Sequence, residues 1–143
     1  MTLENLLKIG QLKSHVTDAG EIVRLLEAAK RNLADAHVTS ISPETRFDCA
    51  YKAIMQSALT VLMANGFRPD TKRPGHHMTV LQSLPITIQL PGERMVVLDA
   101  LRRKRNLSDY TGEDVDDVSA ENCVLMAKRL SRLNIEQGLA KVI

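Results

Sequence analysis

The 143-residue sequence predicts an all-α fold, an antiparallel four-helix-type bundle with additional short helices, in a single domain spanning residues 1–143. Three observations carry this expectation. Apolar residues recur at helical spacing in several segments, and most of these open on a capping residue. Aromatic residues make up only 3% of the chain and Trp is absent, so the core must come from Leu, Ile, Val, Met and Ala, which favours packed helices over an aromatic-rich sheet. The one run with β-like alternation, Ile86 to Leu90, has no partner strand and reads as a connector or the frayed start of a helix.

Taken in order, Leu3 to about His15 reads as a short helix capped by Thr2, with Leu3, Leu6, Leu7 and Ile9 or Leu12 on a loose apolar face. Asp18 followed by Glu21 resembles a capping pair opening a second helix, in which Ile22, Leu25, Leu26, Ala29 and Leu33 recur as far as about His37. Thr39 to Ser42 makes the turn. Ser42-Pro43-Glu44 is a strong start for the third helix, because serine accepts a free backbone N–H and proline at the first helical position lacks only a donor that would go unused. Phe47, Ala50, Tyr51, Ile54, Ala58, Val61 and Leu62 form its stripe, and Asn65-Gly66 stops it. Phe67 to Gly75 reads as an exposed loop. His76 to Leu84 follows as a short helix ended by Pro85, and a further helix runs from about Glu93 to Tyr110 after Pro91-Gly92. Beyond an acidic turn holding Glu113, Asp114, Asp116 and Asp117, Ser119 is positioned to cap a last helix to about Asn134. Its inward residues are Cys123, Met126 or Ala127, Leu130 and Leu133. The tail to Ile143 either continues this helix or packs loosely.

The bulk numbers narrow the function. With 44% hydrophobic and 25% charged residues the chain is not a disordered polymer. A net charge of +2 gives no whole-chain attraction for nucleic acid, so any such role rests on a local patch. No stretch reaches the ~18 apolar residues that span a bilayer, and Met1 to Lys13 carries no cleavage signature, so the expected setting is cytoplasmic, with no membrane partner. Cys49 and Cys123 sit in apolar helical contexts and read as buried small hydrophobes. His76 and His77 are adjacent rather than four apart, and His15 and His37 have no ligand-spaced partners. One of the pair is expected to cap or pack under the preceding loop and the other to face solvent. No metal site, cofactor loop or nucleophile motif is read from the sequence.

Arg102-Arg103-Lys104-Arg105 stands apart. On a helical wheel Val97, Leu98 and Leu101 define an inward arc into which Arg105 and Ser108 fall. Arg102 flanks it on the side that Asp109 also reaches, Lys104 lies nearer its edge, and Arg103 points away. A charge in an apolar stripe must be paired, face a cleft or lie in a subunit seam. A structural pair with Asp109, four residues on, is the first account, and a cleft is the second.

Several residues also occur in a suggestive order: Tyr51-x-Ala53 followed by Ala58 and Leu62, then Gly66, then Gly75-His76-His77, and after a spacer Arg105-x-x-x-Asp109-Tyr110. Over roughly residues 44 to 133 this resembles the HEPN superfamily (higher eukaryotes and prokaryotes nucleotide-binding domain), most closely its small prokaryotic members related to nucleotidyltransferase-partner and toxin–antitoxin proteins. The resemblance implies a helical bundle that forms a homodimer. Its functional cleft would be lined by Arg102, Arg105, Asp109 and Tyr110, with Tyr51 and His76 as further contributors. It implies a binding or interaction subunit taking RNA, a nucleotide or a protein partner such as a nucleotidyltransferase or antitoxin, and leaves open whether the chain is an enzyme. Relatives that cut RNA carry a histidine four to six residues after the arginine. Here no histidine follows His77, and Asp109 and Tyr110 occupy that stretch. Aspartate, with a reference pKa near 4, is a weak base for a 2′-hydroxyl, so a divergent metal-independent ribonuclease is the alternative reading.

Overall fold

Caps and stops written into the sequence set most of the helix boundaries. The computed structural model describes residues 2–136, and the tail to Ile143 lies outside the described residues. Thr2 accepts from the Asn5 N–H and opens α1 (Leu3–Lys8). Asp18 accepts from the Glu21 N–H and opens α2 (Ala19–Ala36). Ser42, with Pro43 at the first helical position, opens α3 (Pro43–Ala64), which closes at Asn65 and a left-handed Gly66. The remaining helices are α4 (His76–Gln82), α5 (Leu84–Thr87), α6 (Gly92–Thr111), stopped by left-handed Gly112, and α7 (Asp117–Glu136).

Four details depart from the sequence reading. The first helix does not reach His15. It ends at Lys8 ahead of Gly10, whose φ of +78° an L side chain rarely adopts, and Leu12–Ser14 becomes β1. This strand pairs antiparallel with β2 (Phe67–Pro69), inside the segment expected to be a loop, in the register Leu12 to Pro69 and Ser14 to Phe67. Pro85 does not end a helix. It occupies the first turn of α5, where a missing N–H is harmless, and buried Ser83 ends one helix while starting the next. The last helix is capped by Asp116 rather than Ser119. The Ser119 N–H donates to Asp116 Oδ1 at 2.7 Å, and the hydrogen bonds from Ser119 hold that carboxyl below its usual range.

Packing centres on α3. Its predicted stripe is buried throughout, and Arg46, Ala53, Ser57 and Thr60 are buried as well, so the helix is enclosed on nearly every side. α2 runs antiparallel to it and packs through Ile22, Leu26 and Ala29. α7 packs through Cys123, Val124, Met126, Ala127 and Leu130. The Cys49 and Cys123 thiols are both free. Cys123 is buried as expected, its thiol pushed up to about 12 by burial and by Asp48, whereas Cys49 is only half-buried. No helix among the described residues is long and apolar enough to cross a membrane.

Within the bundle, α7 runs parallel to α3. Three links advance together along both helices: Arg46 Nη2 to Glu121 Oε1 at 2.6 Å, the Cys123 thiol to the Phe47 carbonyl at 3.7 Å, and Asn134 Nδ2 to the Ser57 carbonyl at 3.3 Å. The intervening segment is therefore a long crossover returning the chain to the Pro43 end. Arg46 also donates from Nε to the carbonyl of Ala36 at 2.9 Å, tying the end of α2 into the same joint. Replacing Arg46 by Ala leaves a buried carbonyl without a donor, and is expected to destabilise the fold by about 2–3 kcal/mol. Glu121→Gln keeps an acceptor at a half-exposed position and is expected to cost about 1 kcal/mol or less. Urea unfolding of both variants beside the wild type checks the difference.

Candidate functional site

The crossover lays the second half of α6 and the first turn of α4 against one face of α3. On α3, Asp48, Tyr51, Lys52 and Met55 follow the i, i+3, i+4, i+7 pattern of a single helix face. From α6 come Arg102, Arg105, Asn106, Asp109 and Tyr110, and from the start of α4 come His76 and His77. All six residues singled out by sequence (Tyr51, His76, Arg102, Arg105, Asp109 and Tyr110) line one open depression of about 440 Å³. An adjoining hollow of about 450 Å³ shares Tyr51, His77, Arg105 and Asp109 with it and adds Asp48 and Lys52.

The inward arc of α6 is narrower than the wheel suggests. Leu98 and Leu101 are buried, but Val97 is 40% exposed. Arg105 lies in the arc because an aromatic face receives it: its Cζ stands 5.0 Å from the centroid of the Tyr51 ring. The intrahelical partner is also present, with Arg105 Nε 3.7 Å from Asp109 Oδ2, at ion-pair distance but beyond a good hydrogen bond. A third of the Arg105 side chain remains exposed. Its neighbours are more fully committed. Arg102 donates from Nε and Nη2 to Asp99 Oδ1 at 3.2 and 3.0 Å, Arg103 takes the other Asp99 oxygen, and Lys104 lies 3.5 Å from Glu113. The hydrogen bonds from Arg103 and Arg102 hold the Asp99 carboxyl below its usual range.

Tyr51 is the buried floor. Its ring stacks on Phe47, with centroids 6.4 Å apart, and is only 3% exposed. Its hydroxyl is buried with no hydrogen-bond partner among the described residues. Desolvation raises the phenol's pKa despite Arg105 and Arg102 nearby, so the hydroxyl stays protonated and is a donor in waiting. Tyr110 is the opposite case, 85% exposed at the rim. His76 and His77 meet edge to face with centroids 4.6 Å apart. Neither caps α4, whose N-cap position is Gly75. Loss of water, then His76 and Arg105, lower the pKa of His77, so its ring is neutral at pH 7. Asp48 is pushed up, first by desolvation and then by Asp109.

The sequence reading did not single out Asp48, Lys52, Asn106 or His77. Asp48 and Lys52 share the helix face of Tyr51, a spacing visible in the sequence, whereas the approach of His77 to Arg105 depends on the crossover alone. His15 lies elsewhere, 2.8 Å from Glu21. Among the described residues no group of three or more His, Cys, Asp and Glu side chains is arranged to hold a metal ion. No family model, no curated protein and no solved structure matches this chain.

An unpartnered buried hydroxyl contributes nothing to the free protein, so Tyr51→Phe is expected to be neutral or to stabilise it by up to about 1 kcal/mol. Arg105→Ala removes a partly exposed ion pair and a cation–π contact and is expected to cost only about 1 kcal/mol. Denaturant unfolding of the two variants checks both values.

Proposed function

We propose that this chain is a HEPN-like RNA-binding subunit, acting in the cytoplasm with a nucleotidyltransferase or antitoxin partner in a toxin–antitoxin, defence or paired-transferase system. The observation that carries the reading is Arg105: its guanidinium rests on an aromatic floor, is only loosely held by Asp109, and keeps donors free toward an open depression. A guanidinium so placed suits a phosphate, which it can grip with two parallel donors. RNA is favoured over a free nucleotide because the two hollows adjoin and an exposed tyrosine stands at their rim. Single-stranded RNA offers successive phosphates together with an unstacked base for that ring. The test is fluorescence anisotropy with a short single-stranded RNA. Arg105→Ala is expected to weaken binding about tenfold, Tyr110→Ala by about fivefold or more, and Lys104→Ala little, since Lys104 faces Glu113. A folded Arg105→Ala protein with undiminished affinity would rule the reading out and leave Arg105 a structural role.

One observation favours the second reading, a divergent metal-independent ribonuclease. The histidine missing after Arg105 in sequence is matched in space by His77, which lines the same hollows and is neutral at pH 7. In this reading His77 takes the proton of a 2′-hydroxyl, O2′ bonds to phosphorus, Arg105 stabilises the charge that develops there, and the departing 5′-oxygen is protonated. Because its pKa is lowered, His77 works as a base from mildly acidic pH upward, so cleavage rises as pH climbs through that pKa and is level by neutrality. Incubation with total RNA in EDTA, for wild type, Arg105→Ala and His77→Ala, decides it. Cleavage lost in both variants supports the reading, and intact RNA with wild type removes it while leaving the binding proposal standing.

A further inference from the structure

The outer face of α7 carries a pattern that the bundle does not use. Val118, Asn122, Leu125 and Arg129 follow one another at spacings of four, three and four, so they share a stripe, and all four are exposed, Val118 by 67% and Leu125 by 50%. Charge is divided along the stripe. Asp114, Asp116 and Asp117 lie exposed at its start, and Lys128, Arg129 and Arg132 lie exposed toward its end, while Glu121 between them is taken by Arg46. Beside the stripe, a groove of about 530 Å³ opens between α7 and the first turns of α6, lined by Arg94, Val97, Leu125 and Arg129 among others. Among the described residues no carboxylate pairs with Arg94 or Arg129, and Arg94 Nη1 is buried without an acceptor. A guanidinium nitrogen held out of water without a partner is costly, and an incoming carboxylate would relieve it.

We propose that this face is the seam of a two-fold homodimer in which the α7 helices of two copies lie antiparallel. The division of charge selects both the occupant and its direction. A parallel pairing would set acid on acid and base on base, whereas a two-fold axis between Asn122 and Leu125 brings the Asp114–Asp117 end of each copy against the Arg129–Arg132 end of the other, twice over. The same operation lays Leu125 and Val118 of the two copies into one apolar strip, and brings the acidic turn of the second copy to the mouth of the groove holding Arg94. The seam lies about 16 Å along α6 from Arg105, at 1.5 Å of rise per residue. It therefore does not rest on RNA binding and does not use the cleft.

The test uses light scattering of the full chain at tens of micromolar, at low and high salt. Wild type is expected to be dimeric and to dissociate as salt rises, because the pairing is exposed and screened. Arg129→Glu with Arg132→Glu makes both ends of the stripe acidic. Asp114→Lys with Asp117→Lys makes both ends basic and leaves the Asp116 cap intact. Each double variant alone is expected to be monomeric, and an equimolar mixture of the two is expected to recover the dimer, since opposite charges then meet at both ends. Leu125→Glu, a single change at an exposed position, is a second route to the monomer, and circular dichroism checks that every variant is folded. A monomeric wild type, a dimer that survives either double variant, or folded variants that fail to pair when mixed would each overturn the proposal.

Discussion

Arg46 is a positive charge buried to 6% exposure in the first turn of the helix that the rest of the protein surrounds. Such a group is tolerated only where its donors are matched, and here the matching holds three helices at one point. Nε satisfies the carbonyl of Ala36, one of the acceptors that every helix leaves open at its C-terminal end, and Nη2 reaches Glu121 on α7. Glu44, two residues earlier, accepts from the Val115 N–H at 3.4 Å, so the approach to α7 is bound to the same end of α3. With α7 registered in parallel, the chain between Asn65 and Asp116 must travel the length of the bundle and back. α4, α5 and α6 are the elements of that return, and the depression exists because the return path carries α6 across Tyr51. An ion joint near Pro43 thus sets the position of a charge on another helix, Arg105, with which it shares no contact.

The helices were legible wherever a local chemical signal marks an end. Asp18, Ser42 with Pro43, Asn65 with Gly66, and Gly112 all act within a few residues of themselves, and the apolar spacing between them survives folding because the buried faces are continuous. What escaped depends on distant partners. Leu12-Lys13-Ser14 is no more strand-like than helix-like by itself, and becomes a strand because Phe67–Pro69 is brought alongside. Gly10 was the overlooked local sign, a stop placed inside a predicted helix. The parallel course of α7 has no sequence signature at all, since it is fixed by side chains more than seventy residues apart. For the site, a charge in an apolar stripe correctly drew attention to Arg105. Its main contact, an aromatic face on another helix, could not be read from the spacing to Asp109.

The depression mixes charges of both signs and keeps several groups incompletely satisfied. Asp48 and Asp109 raise the free energy of each other's ionised forms, the Tyr51 hydroxyl has no acceptor, and a neutral imidazole sits beside a guanidinium. Around α3 the opposite holds: Thr60 donates to the Gln56 carbonyl at 2.6 Å, Asn134 to Ser57, and Ser83 to Val80 at 2.6 Å. Unsatisfied groups gathered in one hollow of an otherwise well-matched interior are where local stability yields to another requirement. α6 contributes to both of the surfaces considered, with its basic second half at the depression and its first turns beside α7.

The parallel pairing of α3 and α7 also has a consequence for how the protein is made. α3 is complete once residue 64 has left the ribosome, yet the surface that Cys123, Met126, Ala127 and Leu130 finally cover has no mate until α7 follows. At about 5–20 residues added per second, the most apolar helix of the chain waits several seconds half-clothed by α2 alone. A ribosome that stalls within α6 would hold out a nascent chain with that surface bare, a natural substrate for holding chaperones and a poor one for release. Shortening the chain before α7 would therefore not trim a peripheral element but remove one wall of the core.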